Sequence, residues 1–155
     1  MRIIKPILNI LAVLCYILIG LYVFIAAPLV AGYRPVVVLS GSMEPAFPVG
    51  SVIYYKAAAF SDIAVDDVIT FRFGGSDLST HRVVQKNEIS QTFVTKGDAN
   101  AGNDPHEVRY DSVQGKVLQS YKLPYVGYYI KYVNENIYVV ILMVVILLSK
   151  IALSF

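Results

Sequence analysis

The side chains of this sequence best suited to hydrolytic chemistry are a serine in a small-residue turn, a histidine in a β-like stretch and carboxylates in a later turn. The segment Leu39-Ser40-Gly41-Ser42-Met43-Glu44-Pro45 would present a hydroxyl close to exposed backbone N–H groups, although generic turns use the same Ser and Gly residues. A serine hydroxyl is a weak nucleophile at neutral pH and needs a base. The chain has two histidines, His81 in Ser79-Thr80-His81-Arg82-Val83-Val84 and His106 after Asp104-Pro105. By residue type alone each is eligible as a base and each as an ordinary surface histidine. A third group often orients the imidazole and stabilises its charge. Asp98 and Asp104, in Lys96-Gly97-Asp98-Ala99-Asn100-Ala101-Gly102-Asn103-Asp104, are available for this, or equally as turn residues bonded to their own backbone. A lysine base is the alternative, with Lys56, Lys86 or Lys96 as candidates, if desolvation lowers its pKa.

Other chemistries lack their residues. No His-Glu-x-x-His helix is present, and Cys15 is the single cysteine, so neither a metal site nor a disulfide framework is expected. No Gly-rich phosphate loop points to a nucleotide, and no cofactor is expected. A formal charge of +2 from scattered basic residues argues against nucleic acid as a partner.

These residues need elements to position them, and the composition points to a membrane. Hydrophobic residues make up 56% of the chain and the mean hydropathy is +0.59, too apolar for an ordinary soluble domain. No charge occurs from Ile7 to Tyr33, and Ile7 to Ala27 meets the length of about 20 residues that a crossing helix needs. A cleaved signal peptide is the competing reading, given Arg2, Lys5 and the small residues Ala26, Ala27 and Ala31. Signal peptides usually have apolar regions of about 7–15 residues, so the longer run favours an anchor, with Pro28 and Gly32 marking its exit. A second apolar run extends from Ile137 to Phe155, with Lys150 placed to snorkel toward headgroups. It predicts a second transmembrane helix, or else a buried or interfacial C-terminal helix. Tyr121, Tyr125, Tyr128, Tyr129, Tyr132 and Tyr138 crowd its approach, as expected at a membrane interface. Arg2 and Lys5 place the N-terminus in the cytoplasm by the positive-inside rule, which leaves the central segment outside.

The central segment, residues 34–134, alternates β-branched and aromatic stretches with turn residues: Val36–Leu39, Val52–Tyr55, Val68–Phe73, Arg82–Gln85, Gln91–Thr95 and Val113–Leu118, with Gly74-Gly75 among the turns. The expected fold is a mainly β extracytoplasmic catalytic domain with an N-terminal and a C-terminal transmembrane helix. Its parts are an anchor over 1–33, the β-rich domain over 34–134 and a second span over 135–155. Only nine residues carry the chain from Tyr33 to Ser42. At about 3.3–3.6 Å per extended residue, Ser42 lies within roughly 30 Å of the helix exit. Met43, Ala46, Phe47 and Pro48 would suit an apolar lip at the interface.

Ser-Gly-Ser-Met-Glu-Pro shortly after a transmembrane helix resembles the nucleophile box of the signal peptidase I family. The segment around His81 resembles the second catalytic box of its archaeal and endoplasmic-reticulum type, which carries His where the common bacterial type has Lys. Lys96-Gly97-Asp98 is similar to the family's third box, and the boxes occur in the family's order. The resemblance implies Ser42 as nucleophile, His81 as base and Asp104 as the acidic residue beside it. It leaves Asp98 as a structural aspartate and gives Ser40, two positions before the nucleophile, a role at the oxyanion. It further implies signal-peptide-bearing preproteins as substrates, cleavage after small residues, and the lipid bilayer and secretory translocon as partners. The family's Gly-Asp pairs are altered at Gly50-Ser51 and Asp66-Asp67, where turn geometry is expected to bear the change. A β domain that binds a partner without catalysis is the alternative of a different class.

Overall fold

The computed structural model describes residues 4–72 and 77–152. An unbroken apolar run makes α1, Ile4–Ala26, and Pro6 is tolerated because it falls in the first turn, where its N–H would have no helical partner. Pro28 cannot continue the pattern, and the chain tightens into a 3-10 turn over Ala27–Ala31. At 1.5 Å per residue α1 is about 34 Å long, enough for a hydrocarbon core of about 30 Å. This is the one described helix long and apolar enough on its own to cross a membrane.

Two compact units emerge: Pro28–Gly127, and the two ends of the chain, through Ala27 and from Tyr128. In the latter unit α1 packs on the C-terminal helix α3, Ile137–Ala152. A short helix α2, Val126–Glu135, precedes α3, and the pair is bent by 88° at the intervening break. The expected β-rich segment therefore ends in helix, because Val126, Tyr129, Ile130 and Val133 share one half-buried face at helical spacing, with Tyr128 and Tyr132 exposed opposite. Sixteen residues give α3 a rise of about 24 Å, short of a full crossing within the described residues.

The Pro28–Gly127 unit is a seven-stranded sheet with every pairing antiparallel. Its strands are β1 Arg34–Val37, β2 Val52–Lys56, β3 Val68–Arg72, β4 Leu78–Asn87, β5 Thr92–Lys96, β6 Val108–Arg109 and β7 Val113–Leu123. Their spatial order is β1-β2-β7-β3-β4-β5-β6, so β1 is an edge. Each predicted stretch overlaps a strand, with Val38 and Leu39 beyond β1 and Gln91 ahead of β5, and β4 and β7 run well past the expected ends, carried by ladder bonds through polar residues. The two-residue β6 had no sequence signal. Phe73 and the expected Gly74-Gly75 turn lie outside the described residues.

Two buried clusters hold the sheet. Ile63, Ile69, Phe71, Val83, Phe93 and Val108 form one. Met43, Phe47, Ile53, Tyr55, Val68 and Val117 form the other. A fully buried side chain of this size contributes roughly 1.5–3 kcal/mol. The second cluster matters for the site: Met43 and Phe47, each 2% exposed, are apolar pins that fasten the turn carrying Ser42 to the sheet. The expected apolar lip is thus largely turned inward, with Met43 and Phe47 buried and Ala46 half-buried.

Candidate active site

Ser42 lies in a single 3-10 turn, Gly41–Met43, closed by the Glu44 N–H donating to the Gly41 carbonyl at 3.0 Å. His81 lies in β4, opposite Ile69 of β3. Asp104 follows β5, in the loop leading to β6. Residues far apart in sequence are thereby brought together. His81 Nε2 is 3.2 Å from Ser42 Oγ, and His81 Nδ1 is 2.6 Å from Asp104 Oδ2. An ionised carboxylate can only accept, so Nδ1 carries the proton facing Asp104. In the neutral ring Nε2 is then an acceptor, and Ser42 donates its hydroxyl proton to it. Ser40 Oγ lies 3.3 Å from Ser42 Oγ and, with the Ser42 proton committed to the imidazole, is the donor of that contact.

Asp104 is itself held. Its backbone N–H donates to the Thr95 carbonyl at 2.8 Å, and the Thr95 hydroxyl donates to Oδ2 at 2.6 Å. His81 and Asp104 retain only 16% and 15% side-chain exposure, so water competes weakly for the bond between them.

The other members of the aspartate segment build the site's frame. Asp98 takes a bidentate pair from Arg82, Nε to Oδ1 at 2.8 Å and Nη2 to Oδ2 at 2.7 Å. Hydrogen bonding to Asp98 raises the Arg82 pKa against the opposing effect of burial, so the guanidinium stays charged. The Nη1 of Arg82 also donates to the Asp66 carbonyl at 2.8 Å and to Gln119 Oε1 at 2.7 Å. Next to Asp98, the Ala99 N–H donates to the Ser42 carbonyl at 2.9 Å. Gly97 is required there: a Cβ on it would sit 2.6 Å from the same carbonyl oxygen. Residues 97–99 thus abut the backbone of the Ser42 turn, while Asp104 bonds the imidazole.

The remaining candidates lie elsewhere. His106 is exposed in the loop before β6. Lys86 pairs with Glu88 at 3.0 Å and covers the Phe60 ring, and Lys56 covers the Tyr33 ring. Lys96 stands opposite Arg82 in the ladder. Among the described residues Ser42 Oγ has Ser40 and His81 as its side-chain partners. Sequence reasoning missed Thr95, Arg82 and the Ala99 N–H. Thr95 had a signal only in retrospect, since it is paired with Val83, two residues from His81, and so faces the same side of the sheet.

One of the altered pairs has a physical explanation. Asp66 has φ +74°, the left-handed region that favours glycine but tolerates Asp. Ser51 is fully buried, and its hydroxyl is without a protein partner among the described residues.

A groove of about 550 Å³ opens beside Ser42, walled by Val36–Leu39 on one side and Leu78–His81 on the other, with Met43 and Ile53 at its base. Within the sheet, Leu78–Thr80 pair with β3, and the pairing of β4 with β5 begins only at Arg82. Among the described residues, β1 and Leu78–Thr80 therefore each offer the groove a strand edge without a ladder partner.

The described residues combine a helix long and apolar enough to cross a membrane, an antiparallel sheet and a Ser–His–Asp arrangement beside an open groove, the arrangement that serine hydrolases use. No protein-family profile matches the chain. Curated relatives do: it is 39% identical over 100 residues to signal peptidase I W of Bacillus subtilis, an alignment covering 63% of this chain and 52% of that protein. It is 33% identical over 112 residues to the signal peptidase complex catalytic subunit SEC11 of Candida dubliniensis, covering 66% of this chain and 67% of that one. The Saccharomyces cerevisiae SEC11 is likewise 33% identical, over 114 residues. The chain belongs to the signal peptidase I family, and it spans about half the length of the Bacillus relative and two thirds of the fungal ones.

Proposed function

We infer that this protein is a membrane-bound serine endopeptidase that removes signal peptides from secreted preproteins. The observation that carries the reading is the hydrogen-bonded line from Ser42 through His81 to Asp104 at the wall of the groove. Ser42 Oγ attacks the scissile carbonyl while His81 Nε2 takes its proton. Asp104 holds the imidazole in the tautomer that leaves Nε2 open and stabilises the imidazolium that forms. His81 then returns the proton to the leaving amine. The Ser42 backbone N–H and the Ser40 hydroxyl, which swings from Ser42 Oγ to the new oxygen, are the donors for the oxyanion.

The substrate lies extended in the groove, adding main-chain hydrogen bonds to the edges at β1 and Leu78–Thr80. Alternate side chains of such a strand face the groove floor, which the buried Met43 and Ile53 close off behind, so residues one and three before the cut must be small. Replacing the substrate's Ala immediately before the cut with Phe should block cleavage. Efficient cutting after Phe would leave a serine protease without the signal-peptidase specificity.

The N-terminus is cytoplasmic and residues 34–127 extracytoplasmic, with α2 and α3 together forming a bent second passage that returns the chain. Lys150 over the Tyr16 ring, 5.6 Å from its centroid, places a cation of α3 beside α1. Protease shaving of right-side-out vesicles should digest the central domain at sites cleavable in detergent, and its protection would refute this orientation. The translocon supplies the preprotein at the bilayer.

Asp98 and Asp104 separate by role. Asp104→Asn should cut turnover by about 10⁴, as when a serine protease's aspartate is replaced, with little change in melting temperature. Asp98→Asn weakens the paired Arg82 and should cost about 1–3 kcal/mol of stability, read as a lower melting temperature. A well-folded, inactive Asp98 variant beside an active Asp104 variant would exchange the roles.

A further inference from the structure

We propose that Thr95 is a positioning residue of the hydrolytic reaction, acting through Asp104 on the tautomer and aim of His81; this rests on the Ser–His–Asp reading above. The loop carrying Asp104 could hold its carboxylate in many orientations. Thr95 removes that freedom with two bonds, its carbonyl accepting the Asp104 N–H at 2.8 Å and its hydroxyl donating to Oδ2 at 2.6 Å. The oxygen so held is the one that accepts the His81 Nδ1 proton at 2.6 Å. A threonine hydroxyl has one proton to donate, and in a residue with no exposed surface no water competes for it.

The rigidity of the arrangement follows from the ladder. Thr95 is the cross-strand partner of Val83, and Val83 and His81 face the same side of β4, so the hydroxyl and the imidazole approach Asp104 from neighbouring positions of one surface. The β-branched side chain has a restricted χ1, which keeps the hydroxyl aimed without further ordering. Asp104 lies outside regular structure and borrows its position from β5. With that hydroxyl gone, Oδ2 keeps one fixed partner in place of two, and the carboxylate can turn away from Nδ1, leaving the imidazole free to take the tautomer that cannot accept from Ser42.

Thr95→Val preserves shape and removes the donor. In single-turnover cleavage of a preprotein by the full-length protein, it should lower kcat about 10- to 100-fold with KM unchanged, the loss expected from misplacing a catalytic group by about an ångström. Thr95→Ser, which restores the hydroxyl, should recover most of the rate. In an Asp104→Ala background, Thr95→Val should cause no further loss, because the residue acts only through the carboxylate. A Thr95→Val enzyme at the wild-type rate, a Thr95→Ser enzyme as slow as Thr95→Val, or an equal loss from Thr95→Val in both backgrounds would each overturn the proposal. If Thr95→Val also melts early, the serine variant carries the test alone. Asp104→Ala at full rate would overturn the role of Asp104 and that of Thr95 with it, whereas an impaired Asp104→Ala beside a fully active Thr95→Val would remove Thr95 only.

Discussion

Ser42→Ala is expected to abolish processing, lowering turnover on the scale of about 10⁶ that a serine protease loses with its nucleophile. In the proposed mechanism the Ser42 hydroxyl oxygen becomes covalently bound to substrate, so the effect falls on kcat. The groove walls at Val36–Leu39 and Leu78–His81 are untouched, and preprotein binding should survive. Folding should survive too, since the turn is pinned by Met43 and Phe47 and by the Ala99 N–H on the Ser42 carbonyl, none of which uses the hydroxyl. Equal initial rates for the wild-type and Ser42→Ala proteins would eliminate this serine as nucleophile.

An effect of similar size is expected from His81→Ala, while His106→Ala should leave most activity in place. The imidazole of His81 is 3.2 Å from the serine and bonded on its other nitrogen, and His106 sits exposed in the loop before β6. A general base must be neutral to accept the serine proton, so activity should fall on acidification. A lysine base would instead lose activity over a range set by an amine, and a wild-type rate in both histidine variants would move the assignment to one. Reversed effects of the two alanine variants would overturn it.

How far the sequence could be read depended on the range of the interactions involved. The turn carrying Ser42, the N-terminal apolar helix and most strands are encoded locally, in Ser40-Gly41-Ser42, in the uncharged run after Lys5 and in β-branched stretches, and each was legible. The choice of His81 over His106 and of Asp104 over Asp98 was not legible from residue type, since each pair is equivalent until the chain folds. Motif resemblance supplied it, and the fold brings His81 to Ser42 and Asp104 to His81. Thr95 and the Ala99 N–H escaped because their relevance exists only through ladder register and loop closure, which span many residues. Asp98 illustrates a further limit: its carboxylate is spent on Arg82, 16 positions away, a pairing fixed by the adjacency of β4 and β5. The helix α2 was missed because its apolar residues repeat over too few turns to stand out from the tyrosine-rich approach to α3.

The central claim is that this chain cuts preproteins at the end of the signal peptide, and one measurement meets it directly. The detergent-purified protein is incubated with a signal-peptide-bearing preprotein, and the N-terminus of the product is sequenced. The result expected is a single new N-terminus just beyond the apolar region, with small residues one and three positions before the cut. An intact preprotein, or cleavage at sites unrelated to the signal peptide, would contradict it.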